Sequence, residues 1–140
     1  MFSQVISNLN WLHIFVATLA YFMLGALWYS PVLFVKQWIK FHNINIDDPD
    51  AKKGVAQVFL MSFVCMFLAV TAIAICQHFF MATTLLSGLK VGLFLSVFLC
   101  ATAISIGYIY LKKPLSLFAI DCGYQIIGCS IAGAILGVWH

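Results

Sequence analysis

The sequence predicts an all-α membrane protein, folded as an antiparallel bundle of four transmembrane helices. Composition is the first ground. Of 140 residues, 64% are hydrophobic and 8% charged, with a mean hydropathy of +1.08, whereas a soluble domain carries about 25% charge. The second ground is four apolar runs, at about 11–30, 55–80, 88–111 and 115–139, each long enough to cross roughly 30 Å of hydrocarbon as a helix. The third is the lack of any ten-residue alternation of the kind a lipid-facing barrel strand needs. A backbone in lipid must satisfy its polar groups internally, which leaves helices. Short connections favour antiparallel neighbours, so residues 1–140 read as a single membrane domain with 31–54 as its largest loop.

No Lys or Arg precedes the first apolar run and no A-x-A site follows it, so that segment is expected to be retained rather than cleaved. Helix 1 is expected to begin after Asn8-Leu9-Asn10 and to close at Gly25-Ala-Leu-Trp-Tyr-Ser-Pro31. Trp28 and Tyr29 suit a half-wet interface, and Pro31 disfavours helical geometry at Ser30. From Pro31 to His42, Lys36 and Lys40 share a face opposite most of Leu33, Phe34, Trp38 and Phe41. Two readings fit: a short helix lying on the leaflet, or an extension of helix 1 beyond a proline kink. Asn43 to Lys53 is the water-soluble stretch. There Asp48-Pro49-Asp50 reads as N-cap, first-turn proline and first-turn acid, which would start the second long helix near 49.

That helix should run to Gln77-His78-Phe79-Phe80, with Met81 to Ser87 as a short turn. The third helix carries small residues at Gly88, Gly92, Ser96, Cys100, Ala103 and Gly107, near one face, where another backbone can approach. Pro114 opens the fourth, which ends with Gly133-x-x-x-Gly137 and Trp139. Both stripes imply close packing, within the bundle or between copies; self-association would use Gly133 and Gly137, or Gly88, Gly92 and Ser96. Orientation follows from lysine. Lys36, Lys40, Lys52 and Lys53 lie in the first loop, Lys112 and Lys113 in the third, and Lys90 alone near the second. By the positive-inside rule, loops one and three face the cytoplasm and both termini lie outside.

Asp121 is the one charged residue deep inside a long apolar run, Lys90 standing at the margin of the third. An ionised group there costs roughly 2.5–3.5 kcal/mol on insertion scales, so the carboxyl should face protein, find donors or stay protonated. Asp121, Tyr124, Gln125 and Gly128 share a helical face. At equal depth, the neighbouring helices present Tyr21 to Trp28, Ser62, and Ser105 to Tyr108 as candidate donors. Two readings stand side by side: a site for a proton, cation or polar solute, or a hydrogen-bonded knot that fixes helix register, worth about 0.6 kcal/mol per bond.

Other chemistry finds little support. The five cysteines (65, 76, 100, 122, 129) are odd in number, lie in apolar runs and have no C-x-x-C or zinc spacing, so they read as small buried hydrophobes. His13, His78 and His140 fall near one membrane level, but interfacial histidines in water are the better reading than a metal site. No cofactor is expected. There is no G-x-S-x-G elbow, H-E-x-x-H, P-loop or Rossmann glycine pattern, and the protein reads as non-enzymatic. Arginine is absent, which excludes fork-like phosphate recognition, and nothing forms a basic nucleic-acid face. The expected partners are the lipid bilayer and further copies of the chain.

One resemblance adds to this. Asn10-Trp11 followed by Gly25-x-x-Trp28-Tyr29-Ser30-Pro31-x-x-Phe34-x-x-x-Trp38 resembles the signature of domain-of-unknown-function family 1761, and Asp121-x-Gly123-Tyr124 with Gly133-Ala-Ile-Leu-Gly137-x-Trp139 is similar to that family's last helix. The resemblance implies a small four-helix membrane protein, multi-pass, in the bacterial inner (plasma) membrane. It implies no activity.

Overall fold

The computed structural model describes residues 2–45, 50 and 53–139. In chain order, the elements are α1 (Phe2–Ser7), α2 (Trp11–Trp28), α3 (Val35–His42), α4 (Val55–Phe79), α5 (Leu85–Leu95), a π-helical stretch (Ser96–Ala101), α6 (Thr102–Tyr110) and α7 (Leu115–Val138). α5, the π stretch and α6 form one continuous span, Leu85–Tyr110. With α2, α4 and α7 it makes four helices long and apolar enough to cross a membrane. No strand occurs among the described residues.

Each boundary has a local cause. α2 starts at Asn10, whose Oδ1 accepts a hydrogen bond from the His13 N–H at 3.3 Å. It stops before Pro31, where the Phe34 N–H reaches back to the Trp28 carbonyl at 3.1 Å and Ser30 Oγ donates to Leu27 O at 2.7 Å. α3 is therefore a separate helix rather than a continuation of α2, and it closes on Asn43 in the left-handed region, φ 51°. α4 begins after Gly54, at φ 78°, a conformation that glycine adopts without steric cost. This corrects the expected start near 49; Asp48 and Pro49 lie outside the described residues. α5 opens on a reciprocal capping box between Thr84 and Ser87. Pro114 stands at the N-cap of α7. The short helix α1 was not anticipated.

α7 is the hub. Of its most apolar 18-residue window 44% is buried inside the chain, against 11% for α4 and for the Leu85–Tyr110 span and 22% for α2. The other three therefore present most of their surface outward, as helices in lipid do. α7 packs most extensively on α5, then on α2 and α4.

The α5–α7 seam is the tightest contact. A Cβ at Gly88 would run into the Gly133 carbonyl and lie 2.9 Å from Gly137 Cα, and one at Gly133 would run into the Gly88 carbonyl. The two glycine stripes thus meet each other inside one chain. The stripe on the third span is half as long as expected, and this too is a correction. Gly88, Gly92 and Ser96 are buried, but Ala103 and Gly107 are exposed, and a Cβ at Gly107 would meet nothing. The intervening π turn bonds i to i+5 and adds the equivalent of one residue, a rotation of roughly 100°. That rotation takes Gly107 off the seam.

Candidate functional site

Asp121 sits two turns into α7 and is half-buried. Its two oxygens receive phenolic hydroxyls from two different spans: Tyr29 OH donates to Oδ1 at 2.7 Å, and Tyr108 OH donates to Oδ2. Tyr29 comes from the turn after α2 and Tyr108 from α6, so the carboxyl ties three spans at one level. One turn further along α7, Tyr21 OH donates to Gln125 Oε1. A turn beyond that, the Tyr21 ring covers Gly128, leaving no room for a side chain there. Cys129 Sγ lies 3.8 Å from the same phenol oxygen.

The expected donor set is only partly the observed one. Tyr108 donates to the carboxyl. Tyr21 serves Gln125, and the Trp28 indole donates to the Ile120 carbonyl at 3.1 Å. Ser105 Oγ bonds back to Ala101 O in its own helix at 2.6 Å, and Ser62 stands on α4, from which no hydrogen bond reaches the carboxyl among the described residues. Tyr124 points toward α4, its hydroxyl 3.6 Å from Met66 Sδ. Tyr29 is the donor that depth counting misses, because the count along the first helix ends one residue short, at Trp28.

The block from Gly25 to Trp38 explains itself around this site. A Cβ at Gly25 would stand 2.8 Å from the Tyr124 hydroxyl, and one at Gly123 would stand 3.3 Å from the Trp28 ring. Both glycines make room for an aromatic neighbour. Phe34 packs on Trp28 with ring centroids 5.0 Å apart, and Trp38 meets Tyr29 edge-on at 5.9 Å. Ser30 and Pro31 shape the turn that brings α3 under the start of α7. Trp11, largely exposed, stacks on Phe67 at 6.3 Å.

The far end of the bundle holds a residue that sequence reasoning passed over. Gln77, 2% exposed, donates from Nε2 to the Gly133 carbonyl at 2.7 Å and to the Gly88 carbonyl at 3.4 Å. It straps α4 across the glycine seam. Its signal in the sequence was an uncharged amide inside an apolar run, easily taken for an interfacial group. His13 stacks on Trp139, ring centroids 4.7 Å apart, and its Nδ1 is buried without a hydrogen-bond partner. His78 is exposed, and His140 lies outside the described residues. No group of three His, Cys, Asp or Glu gathers for a metal among the described residues.

Two open grooves flank the start of α7. One, about 410 Å³, is lined by Gln37, Lys40, Phe41, Ser116, Ala119 and Ile120. The other, about 300 Å³, lies between α6 and α7 and includes Ser105, Tyr108, Lys112, Lys113 and Phe118. Asp121 lines neither.

Three apolar spans around a polar-faced fourth define the class: a bundle of helices long and apolar enough to cross a membrane. The chain belongs to the family described as "Protein of unknown function (DUF1761)", whose model matches residues 12–137. Comparison with the curated proteins and with the solved structures returns no match.

Proposed function

We propose that the protein is a non-enzymatic membrane bundle in which the Asp121 cluster fixes the register of the helices. One observation carries the reading: each carboxyl oxygen is taken by a phenol from a different span. A group that exchanges a proton, cation or solute needs a path, and Asp121 lines neither groove beside it. Asp121→Asn keeps the shape and one acceptor, and its amide nitrogen can donate to the oxygen of the other phenol, whose hydroxyl turns to suit. It should hold detergent stability within about 1 kcal/mol of the parent.

A second reading, a small transporter using Asp121, has one observation in its favour. Tyr108 both donates to the carboxyl and lines the 300 Å³ groove, so a single phenol separates the acid from an open space. Proton and potassium flux into proteoliposomes separates the two. The structural reading expects parent and Asp121→Asn vesicles to leak no faster than empty ones; flux abolished by Asp121→Asn would establish the transporter.

We place the lysine-rich end, with Lys36, Lys40, Lys53, Lys112 and Lys113, in the cytoplasm of the cell. A cysteine introduced at Asn45 should then resist a membrane-impermeant maleimide applied to intact cells. Ready labelling above the parent would reverse the orientation.

A further inference from the structure

The groove between α6 and α7 has a chemistry that the Asp121 cluster does not use. Its walls are apolar, from Ile109, Leu115 and Phe118, and its rim carries Lys112 and Lys113 side by side. Among the described residues neither ammonium has an acidic partner; the ion pair present there joins Lys53 to Asp50 instead. The hydroxyls in the groove are committed, Ser105 to Ala101 O and Tyr108 to Asp121. So are the backbone donors of the turn, since the N–H groups of Lys112 and Lys113 bond to the carbonyls of Ile109 and Tyr108. What the groove offers a ligand is therefore two positive charges over an oily floor.

The turn geometry brings both lysines to the groove. Lys112 adopts φ 49°, in the left-handed region, and the turn ends at Pro114. Two consecutive lysines thus leave the helix end at the mouth of the groove instead of continuing along α6. Back along α6 from the lysines, Ile109 and Ile106, one helical turn apart, are 74% and 59% exposed, a surface that a membrane-embedded chain gives to acyl tails. At about 300 Å³, the groove lies at the lower limit of small-ligand sites. It suits a headgroup whose tails run outside along α6.

We propose that this groove is a binding site for an anionic phospholipid, its phosphodiester held between Lys112 and Lys113 and its acyl chains laid back along α6 over Ile109 and Ile106. The site rests on the basic end meeting a bilayer surface and is independent of which side of the membrane that end faces. It is equally independent of the role of Asp121.

The test uses the full chain in detergent, titrated with phosphatidylglycerol, phosphatidylcholine or inorganic phosphate while the unfolding temperature is followed. Phosphatidylglycerol should raise it at lower concentration than phosphatidylcholine, and phosphate alone should leave it unchanged. Lys112→Gln with Lys113→Gln should remove the preference, with the half-effective phosphatidylglycerol concentration rising about fivefold per lysine. Lys36→Gln with Lys40→Gln should keep it. Should the Lys112/Lys113 variant fold poorly, Ser105→Leu narrows the groove with both lysines in place and should abolish the preference just as well. Equal stabilisation by both lipids, an equal effect of phosphate, an equal loss from the Lys36/Lys40 pair, or full preference in Ser105→Leu would each overturn the site.

Discussion

At the Asp121 end of the bundle three spans meet through long side chains, whereas at the Gly133 end two backbones touch and one amide straps a third helix across them. The first arrangement needs donors on neighbouring helices and tolerates side-chain adjustment. The second needs the absence of side chains and tolerates none. Polar groups in lipid must find partners, but each interhelical hydrogen bond adds only about 0.6 kcal/mol, because the unpacked helices find partners too. Close backbone packing has no such competitor. The seam should therefore carry more of the stability, and the Asp121 knot more of the specificity of alignment.

The largest expected effect follows from that difference. Gly133→Leu would drive a branched side chain into the Gly88 carbonyl, where no flexible atom can yield. It should cost at least about 3 kcal/mol and yield a chain that elutes as aggregate in detergent; a monodisperse, helical variant would show the seam to be loose. A smaller effect is expected at Gln77. Gln77→Leu keeps the volume and removes the bonds to the Gly133 and Gly88 carbonyls. It should lower stability by about 1–2 kcal/mol, read from thermal unfolding in detergent, and no change would mean that the strap contributes nothing.

The two ends were unequally legible in the sequence. A carboxyl in an apolar run announces itself, since charge there has to be explained, and the four spans follow from length and composition alone. The glycine stripes were visible as well, but not which surfaces they would meet. What stayed hidden depends on rotation. The π turn at Ser96–Ala101 has no residue signature in its Ser-Val-Phe-Leu-Cys-Ala stretch, yet it decides which half of the third span faces α7. Tyr29 read as an interfacial aromatic, because only the turn at Ser30 and Pro31 folds it back onto Asp121. Gln77 carries no charge to flag it, and its partners are backbone carbonyls that every residue possesses. Interactions made by side-chain type were readable; those made by helix phase or by main chain were not.

The central claim is that the Asp121 carboxyl is a structural knot dependent on two phenols. Thermal unfolding in detergent of Tyr29→Phe with Tyr108→Phe, alone and with Asp121→Leu added, tests it most directly. Removing both donors should cost about 1–3 kcal/mol by leaving the carboxyl without partners, and replacing that orphaned acid with leucine should recover at least half of the loss. If the double phenylalanine variant unfolds at the parent's temperature, or the added leucine lowers stability further, the carboxyl is not held by these tyrosines and the account is wrong.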